Sequence, residues 1–526
     1  MSIAHWRLGP PPCGRNSLCL GQFRLRITEK WVNLPRISLP LTFREHILEG
    51  AFLILRKSLE QNAVQMPELV KKEGRDTTPP MSKIVRRTFL GGLSSASAAS
   101  LATGSALARK SPNEIPNLAA VGVGGKGWAD SQGAAKHANI VAFCDVEQTK
   151  SGKRGGFASA ARTWPRARRY TDWRVMLEKE KNLDGLTVST PDHMHAPVTM
   201  TALQQGIGCY TQKPLTRTIH ESRKVTEVAA RVGVATQMGN QHHSGSSYRT
   251  LVNIVQTGLL GKIKVAHAWS NRPIWPQGIK RPSQSAAPPR DLLWDLWLGV
   301  APDRPFAAGV YHPFKWRGWY DFGTGALGDM GCHIIDPVYW ALDLTAPDTI
   351  LCEGPEPTKE TFPKEERIYY EFPGTARTAG KTIKVTWHDG GKLPDPSECD
   401  LPAGTKLPAN GCMFVGEQGV AVCPHGSGKL PDLYPKEKFK GLDFQVYPST
   451  DHYRQWVDAI RGEGKPSSGF DYAGPLCEAV LLGCVASRSP GLKLEWNAKA
   501  MRFNNSKEAD NLLHQQYRKG WEVSGL

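Results

Sequence analysis

A glycine-rich turn between an apolar strand and a helix constrains the fold of this chain more than any other feature. Gly122, Gly124 and Gly127 form a G-x-G-x-x-G pattern directly after the apolar run 118–121, and a helix can follow. The first glycine permits a tight turn, the second lets a pyrophosphate approach the backbone, and the third lets the helix pack on the strand. Together with Gly125, they predict a turn whose unpaired N–H groups face phosphates.

A second strand ends in the acid that such a site requires. The apolar segment 140–144 leads to Asp145, close to the spacing of roughly 20 residues at which an acid accepts hydrogen bonds from an adenosine ribose. Val146 and Glu147 come next, and no Arg is adjacent to hold a 2′-phosphate. The pattern therefore predicts NAD, in preference to NADP, as the cofactor. The alternative is a glycine loop in another kind of α/β protein.

Length and composition are those of a globular protein with two or three domains. The chain has 526 residues, of which 40% are hydrophobic and 22% charged. The formal net charge is +17, but residues 1–108 hold 15 Lys and Arg against 7 Asp and Glu, and the remainder has no long basic block. We interpret the charge as a solvated basic surface that attracts anionic ligands, and we expect no nucleic-acid partner.

The segment 81–108 has the features of an export signal. It starts with basic residues, continues with small and apolar residues, and ends in an Ala-x-Ala cleavage site at 106–108. The twin arginines Arg86-Arg87 resemble a Tat signal. We therefore expect an exported, periplasmic protein.

This signal would begin unusually far inside the chain. We therefore expect translation to start at Met81, with residues 1–80 an over-extended gene start that is not part of the fold. The alternative is an internal Ala/Ser linker after a real domain. Because its residues are mostly small, the signal segment is a poor membrane anchor, and we expect no stable membrane insertion.

Strands and helices alternate between residues 109 and 238, which we assign to a Rossmann domain. Apolar strands alternate with helices in the following order: strand 184–189, helix 197–205, strand 208–211, helix 219–231 and strand 234–238. This alternation predicts a doubly wound parallel sheet, in which ligands bind beyond the carboxyl ends of the strands. The predicted cofactor-binding residues at those ends are Thr190, Pro191, His195, Gln212 and Lys213.

The pattern changes in residues 239–526. A helix is predicted at 246–256, and alternating segments predict strands at 262–270, 367–372, 382–387 and within 412–423. The Pro-rich segments 273–289 and 389–411 are predicted to be loops. We predict a substrate-binding α/β domain with an open, mostly antiparallel sheet, through which the chain forms a homo-oligomer.

A second informative stretch carries the candidate acid–base chemistry. A helix starting near Ala326 would place Asp329, His333 and Asp336 on one face, because they are spaced i, i+4 and i+7. An imidazole between carboxylates suits proton transfer coupled to hydride transfer. The alternatives are a structural histidine or a metal site, for which His193, His195, His242 and His243 are further candidates. No third ligand lies at a recognised spacing, so we expect no metal.

In this order, the glycine turn, Asp145, the Thr-Pro-x-x-x-His pattern, the Lys-Pro turn and the Gly-Asp-x-Gly-x-His-x-x-Asp stretch resemble the Gfo/Idh/MocA oxidoreductase family over roughly residues 115–500. The resemblance implies a Rossmann domain, an open-sheet domain and sugar, polyol or keto substrates. It also implies that Lys213 is the catalytic lysine and that Asp329 and His333 are the catalytic aspartate and histidine. Position 212 is Gln where the family usually has Glu, so any orienting role of that carboxylate is in doubt.

The sequence thus predicts an NAD-dependent oxidoreductase of a carbohydrate-like hydroxyl. His333 would accept the hydroxyl proton, Lys213 would polarise the oxygen, and Asp329 would orient the substrate or the histidine. The predicted substrate-binding residues are Trp316 and Trp319, which could stack on a sugar ring, and Asp336. Two alternatives are a glycoside hydrolase that uses bound NAD in a transient oxidation and elimination, and a non-enzymatic carbohydrate-binding protein.

Overall fold

The computed structural model describes the backbone of residues 24–27 and 30–33 and the whole of residues 114–526. The first two segments are strands β1 (Arg24–Ile27) and β2 (Lys30–Asn33), which pair antiparallel with each other. The export signal predicted at 81–108 lies outside the described residues. No helix in the described part of the chain is long and apolar enough to cross a membrane.

The first domain is a parallel sheet of six strands, as predicted. In spatial order these are β5 (Arg168–Tyr170), β4 (Asn139–Cys144), β3 (Asn117–Val121), β6 (Gly185–Val188), β7 (Gly208–Thr211) and β8 (Thr236–Met238). The connecting helices are α1 (Lys126–Ala134), α2 (Phe157–Thr163), α3 (Trp173–Lys179), α4 (His195–Gln204) and α5 (Ile219–Val232). The strand order reverses between β3 and β6, which is where a doubly wound sheet binds its ligand.

Local signals explain these elements well. Strands β6 and β7 are buried along their whole length, as parallel strands covered by helices on both faces must be. Helix α5 begins with a capping box between Thr218 and Glu221 and ends at Gly233, which adopts a left-handed conformation with φ 75°.

The second domain is built on a nine-stranded sheet, and the predicted open, mostly antiparallel sheet is confirmed. In spatial order its strands are β15 (Asp432–Tyr434), β14 (Val420–Pro424), β13 (Gly411–Gly416), β9 (Ile263–Trp269), β12 (Thr382–His388), β11 (Arg367–Pro373), β10 (Thr349–Glu353), β16 (Leu494–Asn497) and β17 (Arg502–Phe503). Among the strand pairs of this nine-stranded sheet, only β9 and β12 are parallel.

The second domain also contains helices, some of which pack against helices of the Rossmann domain. The helices of the second domain are α6 (Ser246–Gln256), α7 (Trp294–Leu298), α8 (Gly325–Ile334), α9 (Asp336–Ala341), α10 (Lys436–Phe439), α11 (His452–Ile460), α12 (Phe470–Ala486) and α13 (Lys507–Asp510). Helix α12 packs against α5 on one side and α8 on the other. The predicted single helix through Asp336 is wrong: α8 ends at Ile334, and α9 starts with Asp336 and Pro337.

Two long insertions add cores of their own. The segment after the predicted loop 273–289 forms an aromatic cluster that includes Trp297, Tyr311 and Phe322. The predicted loop 389–411 is mostly exposed, but Cys399 packs against the outer face of the large sheet. The aromatic insertion therefore has enough buried apolar surface to hold a fixed wall beside the Rossmann domain.

Candidate active site

A cavity of about 840 Å³ extends from the glycine-rich turn to the second domain. Its wall contains most of the residues predicted for the site, namely Gly122, Gly124, Gly125, Asp145, Thr190, Pro191, His195, Gln212, Lys213, Trp316, Asp329 and His333. Three predicted residues, Gly127, Trp319 and Asp336, are not part of that wall. The structure therefore brings residues that were predicted from separate sequence patterns, in both domains, together at one cavity.

The glycine-rich turn has the close packing that its pattern predicts. Gly122 has φ 80°, and a Cβ there would lie 2.6 Å from the carbonyl oxygen of Ser189. A Cβ on Gly127 would lie 2.1 Å from the carbonyl oxygen of Gly122, so the absence of a side chain at Gly127 lets α1 start this close to the turn. A larger residue at position 122 would push the turn away from the end of β6, and one at position 127 would push α1 away from the turn.

The carboxylate of Asp145 is fixed by backbone donors. It accepts hydrogen bonds from the N–H groups of Val123 and Glu147, at 2.9 and 3.1 Å. Burial raises the pKa of Asp145, although these two bonds oppose the shift. At Glu147 burial also raises the pKa, but His312 and Lys150 outweigh it and lower the pKa to about 2. Two carboxylates at this end of the cavity disfavour a 2′-phosphate.

Two features of the cavity fit a bound dinucleotide. Gly125 has φ 60°, and a Cβ built there would meet nothing within 4 Å, so this side of the turn faces open space. The hydroxyl of Thr190 is buried and has no hydrogen-bond partner among the described residues. A pyrophosphate beside the turn and a ribose hydroxyl beside Thr190 would fill these places.

A second loop closes over the glycine-rich turn, which the sequence analysis did not anticipate. The N–H of Gly125, expected to face a phosphate, donates instead to the carbonyl oxygen of Arg154 at 2.8 Å. The N–H of Gly156 donates to the carbonyl oxygen of Val123 at 2.9 Å. Lys150 also lines the cavity. The N–H of Gly125 is thus not free to bind a phosphate, and a cationic side chain of this loop can balance the phosphate charge in its place.

At the other end of the cavity, a lysine and an arginine share one carboxylate. Lys213 Nζ donates to Asp329 Oδ1 at 2.8 Å, and Arg317 Nε donates to the same oxygen at 3.1 Å. Burial alone would raise the pKa of Asp329, but the two cations outweigh it and lower the pKa to about 2. The trio therefore carries one net positive charge beside the cavity.

His333 lies one helical turn after Asp329 and has a different environment. Its Nδ1 is buried and has no hydrogen-bond partner among the described residues. Its ring centroid lies 5.3 Å from that of His425 and 5.9 Å from that of His242. Burial, followed by the charge of Lys213 and the two histidines, lowers the pKa of His333 well below its usual value. At neutral pH the imidazole is uncharged and can accept a proton.

His195 joins two segments of the cavity wall. Its Nδ1 lies 2.7 Å from the carbonyl oxygen of Pro214, and its Nε2 lies 2.9 Å from that of Thr190. Both nitrogens lie against backbone carbonyl oxygens, to one of which the neutral ring donates its single N–H. His195 therefore positions the Thr190-Pro191 segment relative to the turn that carries Lys213.

Gln212 contacts a buried acid that the sequence analysis had overlooked. Its Nε2 donates to Asp130 Oδ2 at 3.0 Å, while its Oε1 accepts from the N–H of Lys213 at 3.3 Å. Asp130 is fully buried in α1 and also accepts from Ser189 and Tyr453. A glutamate at position 212 would face this carboxylate, which gives a physical reason for the amide.

Two of the predicted substrate-binding residues lie outside the wall of the cavity. Trp319 is 1% exposed and packs on Tyr311 in the aromatic cluster, with ring centroids 4.9 Å apart. Asp336 is fully buried and is bonded to His243 and Tyr472, at 2.9 and 2.6 Å. These two partners lie outside the cavity wall and hold the Asp336 carboxylate away from the site.

Several residues of the cavity wall were missed in the sequence analysis: Arg272, Arg317, Asn410, His425 and Trp521. They lie in loops or irregular segments far apart in the chain, so no spacing reveals them. Of these residues, only Arg317 lies within a stretch that the sequence marked, because it lies between the predicted substrate-binding residues Trp316 and Trp319. Within residues 114–526, no group of three or more His, Cys, Asp or Glu side chains could hold a metal ion.

Comparisons with known proteins agree with this geometry. Residues 117–240 match the family model described as the NAD-binding Rossmann fold of the Gfo/Idh/MocA oxidoreductase family, and residues 244–383 match that family's C-terminal alpha/beta domain. The chain belongs to the Gfo/Idh/MocA family. The predictions of an oxidoreductase and of an NAD-binding domain are therefore confirmed.

Individual relatives are distant. The chain is 22% identical to levoglucosan dehydrogenase of Pseudarthrobacter phenanthrenivorans, over 34% of this chain and 38% of that protein. It is 24% identical to an alpha-N-acetylgalactosaminidase of Shewanella oneidensis, over 28% of this chain and 34% of that protein. These alignments span less than two fifths of either relative. The WlbA dehydrogenase of Bordetella pertussis, solved with NADH and UDP-GlcNAcA, has a similar fold, with a TM-score of 0.52 and 15% identity over 73% of this chain and 99% of that one.

Proposed function

We propose that this protein is an NAD-dependent dehydrogenase that oxidises a secondary hydroxyl of a sugar or polyol, or reduces the matching ketone. The observation that carries the proposal is the meeting of Lys213, Asp329 and His333 at the end of the cavity away from Asp145. The relationship to a levoglucosan dehydrogenase supports a carbohydrate-like substrate.

The side chains have distinct tasks in this proposal. When bound, NAD⁺ supplies the acceptor for the hydride that leaves the carbinol carbon. The neutral imidazole of His333 accepts the hydroxyl proton, since its lowered pKa keeps it uncharged at neutral pH. The Lys213 ammonium donates to the oxygen as negative charge develops on it. Asp329 holds Lys213 in place, and Arg317 holds Asp329.

The aromatic insertion supplies a surface suited to a sugar. Trp316 lines the cavity, and the guanidinium of Arg317 lies 4.2 Å from the centre of its ring. Phe314 also lines the cavity and is 37% exposed. Aromatic rings pack against the apolar C–H faces of sugars, while Arg and Asn side chains bind the hydroxyls.

The proposal is tested by screening sugars, polyols and their keto forms for a change in nicotinamide absorbance. With the substrate found, His333→Asn should lower kcat by about 10²- to 10⁴-fold, the usual effect of losing a general base. The affinity for NAD should stay close to that of the unaltered protein. His514→Asn, at an exposed histidine of the C-terminal segment, is the matched control. Near-normal turnover by His333→Asn would overturn its assigned role.

A second candidate function is glycoside hydrolysis through transient oxidation, elimination and reduction. The partial similarity to an alpha-N-acetylgalactosaminidase supports this second candidate. The two functions differ in their products: hydrolysis releases an aglycone without accumulating NADH, whereas dehydrogenation accumulates NADH without releasing one. Incubation with nitrophenyl glycosides, before and after removal of the nucleotide, separates them.

We also propose that the chain is exported by the Tat pathway. The support is the twin-arginine pattern Arg86-Arg87 and the Ala-x-Ala site that ends the segment 81–108. Replacement of both arginines by lysine should retain the protein in the cytoplasm, as measured by cell fractionation. Unchanged export of that variant would contradict the proposal.

A further inference from the structure

The C-terminal segment 511–526 has no strand and returns to the Rossmann domain. Gln204, at the end of α4, donates to the carbonyl oxygen of Ser524 at 2.6 Å. Arg518 donates to the carbonyl oxygen of Gly299 at 3.0 Å and to the carboxylate of Asp295 at 2.6 Å. The segment is therefore attached both to the first domain and to the aromatic insertion.

Trp521 is the residue of this segment that reaches the cavity. Its side chain is only 6% exposed, yet it forms part of the wall of the large cavity. The guanidinium carbons of Arg174 and Arg518 lie 3.9 and 5.5 Å from the centre of its ring. Arg174 is itself held by Asp172 at 2.6 Å. Paired cations thus fix the indole in one position.

The contacts of the neighbouring wall residues show which end of the cavity this is. The N–H of Asp145 donates to the carbonyl oxygen of Tyr170, which places segment 171–173 beside Asp145. The N–H of Leu293 donates to the carbonyl oxygen of Val146, which places α7 on the other side. Trp521 is attached to both neighbours, through Arg174 and through the Arg518–Asp295 bond. It therefore lies at the Asp145 end, away from Lys213.

We propose that Trp521 forms part of the adenine subsite, so that the C-terminal segment supplies one side chain to the cofactor site. Asp145 marks the adenosine ribose, and the adenine of the same nucleotide must lie next to it. The wall there offers the apolar side chains of Val146 and Leu296 together with the indole. Adenine has two apolar faces, and burying them against such side chains favours binding.

The proposal links cofactor binding to docking of the segment. A ligand that touches Trp521 binds the docked form more tightly than a form in which the segment has detached, so it stabilises docking. ADP-ribose carries the adenosine and should have this effect. Nicotinamide mononucleotide lacks the adenosine and should not.

The first test is calorimetric titration of the nucleotide-free protein. Trp521→Ala should weaken binding of NAD⁺ and of ADP-ribose by about tenfold, equivalent to about 1.4 kcal/mol, and leave binding of nicotinamide mononucleotide unchanged. Trp521→Phe should keep most of the affinity. Lys519→Ala, at an exposed residue of the same segment, should match the unaltered protein. Unchanged affinity for ADP-ribose in Trp521→Ala, or equal weakening of both half-ligands, would overturn the proposal.

The second test needs no substitution and so does not depend on folding of the Ala variant. Trypsin can cut after Arg518 and Lys519 when the segment detaches, and mass spectrometry follows the shortened chain. NAD⁺ and ADP-ribose should slow this cleavage, whereas nicotinamide mononucleotide should not. Equal protection by the two half-ligands, or protection by neither NAD⁺ nor ADP-ribose, would show that the segment does not contact the adenosine.

Discussion

The ammonium of Lys213 donates to both the carbonyl oxygen and the carboxylate of Asp329, at 2.5 and 2.8 Å, and so joins the end of β7 to helix α8 of the other domain. Both side chains are largely buried, with exposed fractions of 12% and 14%. Removing Asp329 would leave two cations without a counter-charge, which is costly in a buried site, whereas removing Lys213 leaves Asp329 paired with Arg317. The pair therefore serves the chemistry and holds the two walls of the cavity together.

Replacing Lys213 tests the first of these roles. Lys213→Met removes a donor to the developing alkoxide, so we expect kcat to fall by about 10²- to 10³-fold, as when one oxyanion donor is lost. The measurement is steady-state turnover of the substrate identified by screening. Lys224→Met is the control, because Lys224 pairs with Glu227 on the surface of α5. Similar losses in both variants would contradict a specific role for Lys213.

The pH dependence of oxidation tests the environment of His333. Its pKa is lowered because burial and the charge of Lys213 disfavour the protonated ring. The neutral form, which accepts the proton, therefore persists below pH 6.5, and the acid limb of kcat/KM should lie below that value. Lys213→Met removes a positive charge, raises the pKa of His333 and should shift this limb to higher pH. A limb that does not move in Lys213→Met would exclude His333 as the titrating group.

Local patterns explain why much of this site could be predicted. The roles of Gly122 and Gly127 follow from close contacts within one strand–turn–helix unit, and short apolar strands mark the parallel sheet. The resemblance to the Gfo/Idh/MocA family, carried by the Lys-Pro and Gly-Asp-x-Gly-x-His stretches, then identified residues that meet across the two domains.

The parts of the fold and of the site that were not predicted depend on contacts between distant segments, which leave no local sequence pattern. Helix α12 is buried on nearly all sides, so its sequence lacks the amphipathic period of a surface helix and was not predicted. Asp336 was misplaced because its hydrogen-bond partners, His243 and Tyr472, come from other segments of the chain. Trp521 and Asp130 acquire their neighbours only when distant segments pack together.

The amide at position 212 can be tested against its buried neighbour. Gln212→Glu would place a second carboxylate about 3 Å from that of Asp130, in the place of a donor, and two close carboxylates cannot both ionise without cost. We expect the free energy of unfolding to fall by about 1–3 kcal/mol at neutral pH. Adding Asp130→Asn should recover part of the loss. Thermal unfolding of the four proteins gives the coupling, and strictly additive effects would contradict it.

The last prediction concerns discrimination between the two nicotinamide cofactors. Asp145 and Glu147 present carboxylates where the adenosine ribose binds, so they attract its hydroxyls and repel a 2′-phosphate. We expect the unaltered protein to bind NAD more tightly than NADP.

Asp145→Asn keeps one side-chain oxygen that can accept from the N–H of Val123, but it removes the charge. It should therefore weaken NAD binding and improve NADP binding, shifting the ratio of the two dissociation constants by about tenfold, or 1.4 kcal/mol. Asp443→Asn makes the same change of charge at an exposed position of the second domain and should leave the ratio unaltered. Fluorescence titration with both reduced cofactors measures each constant, and a preference for NADP in the unaltered protein would show that Asp145 does not face the ribose.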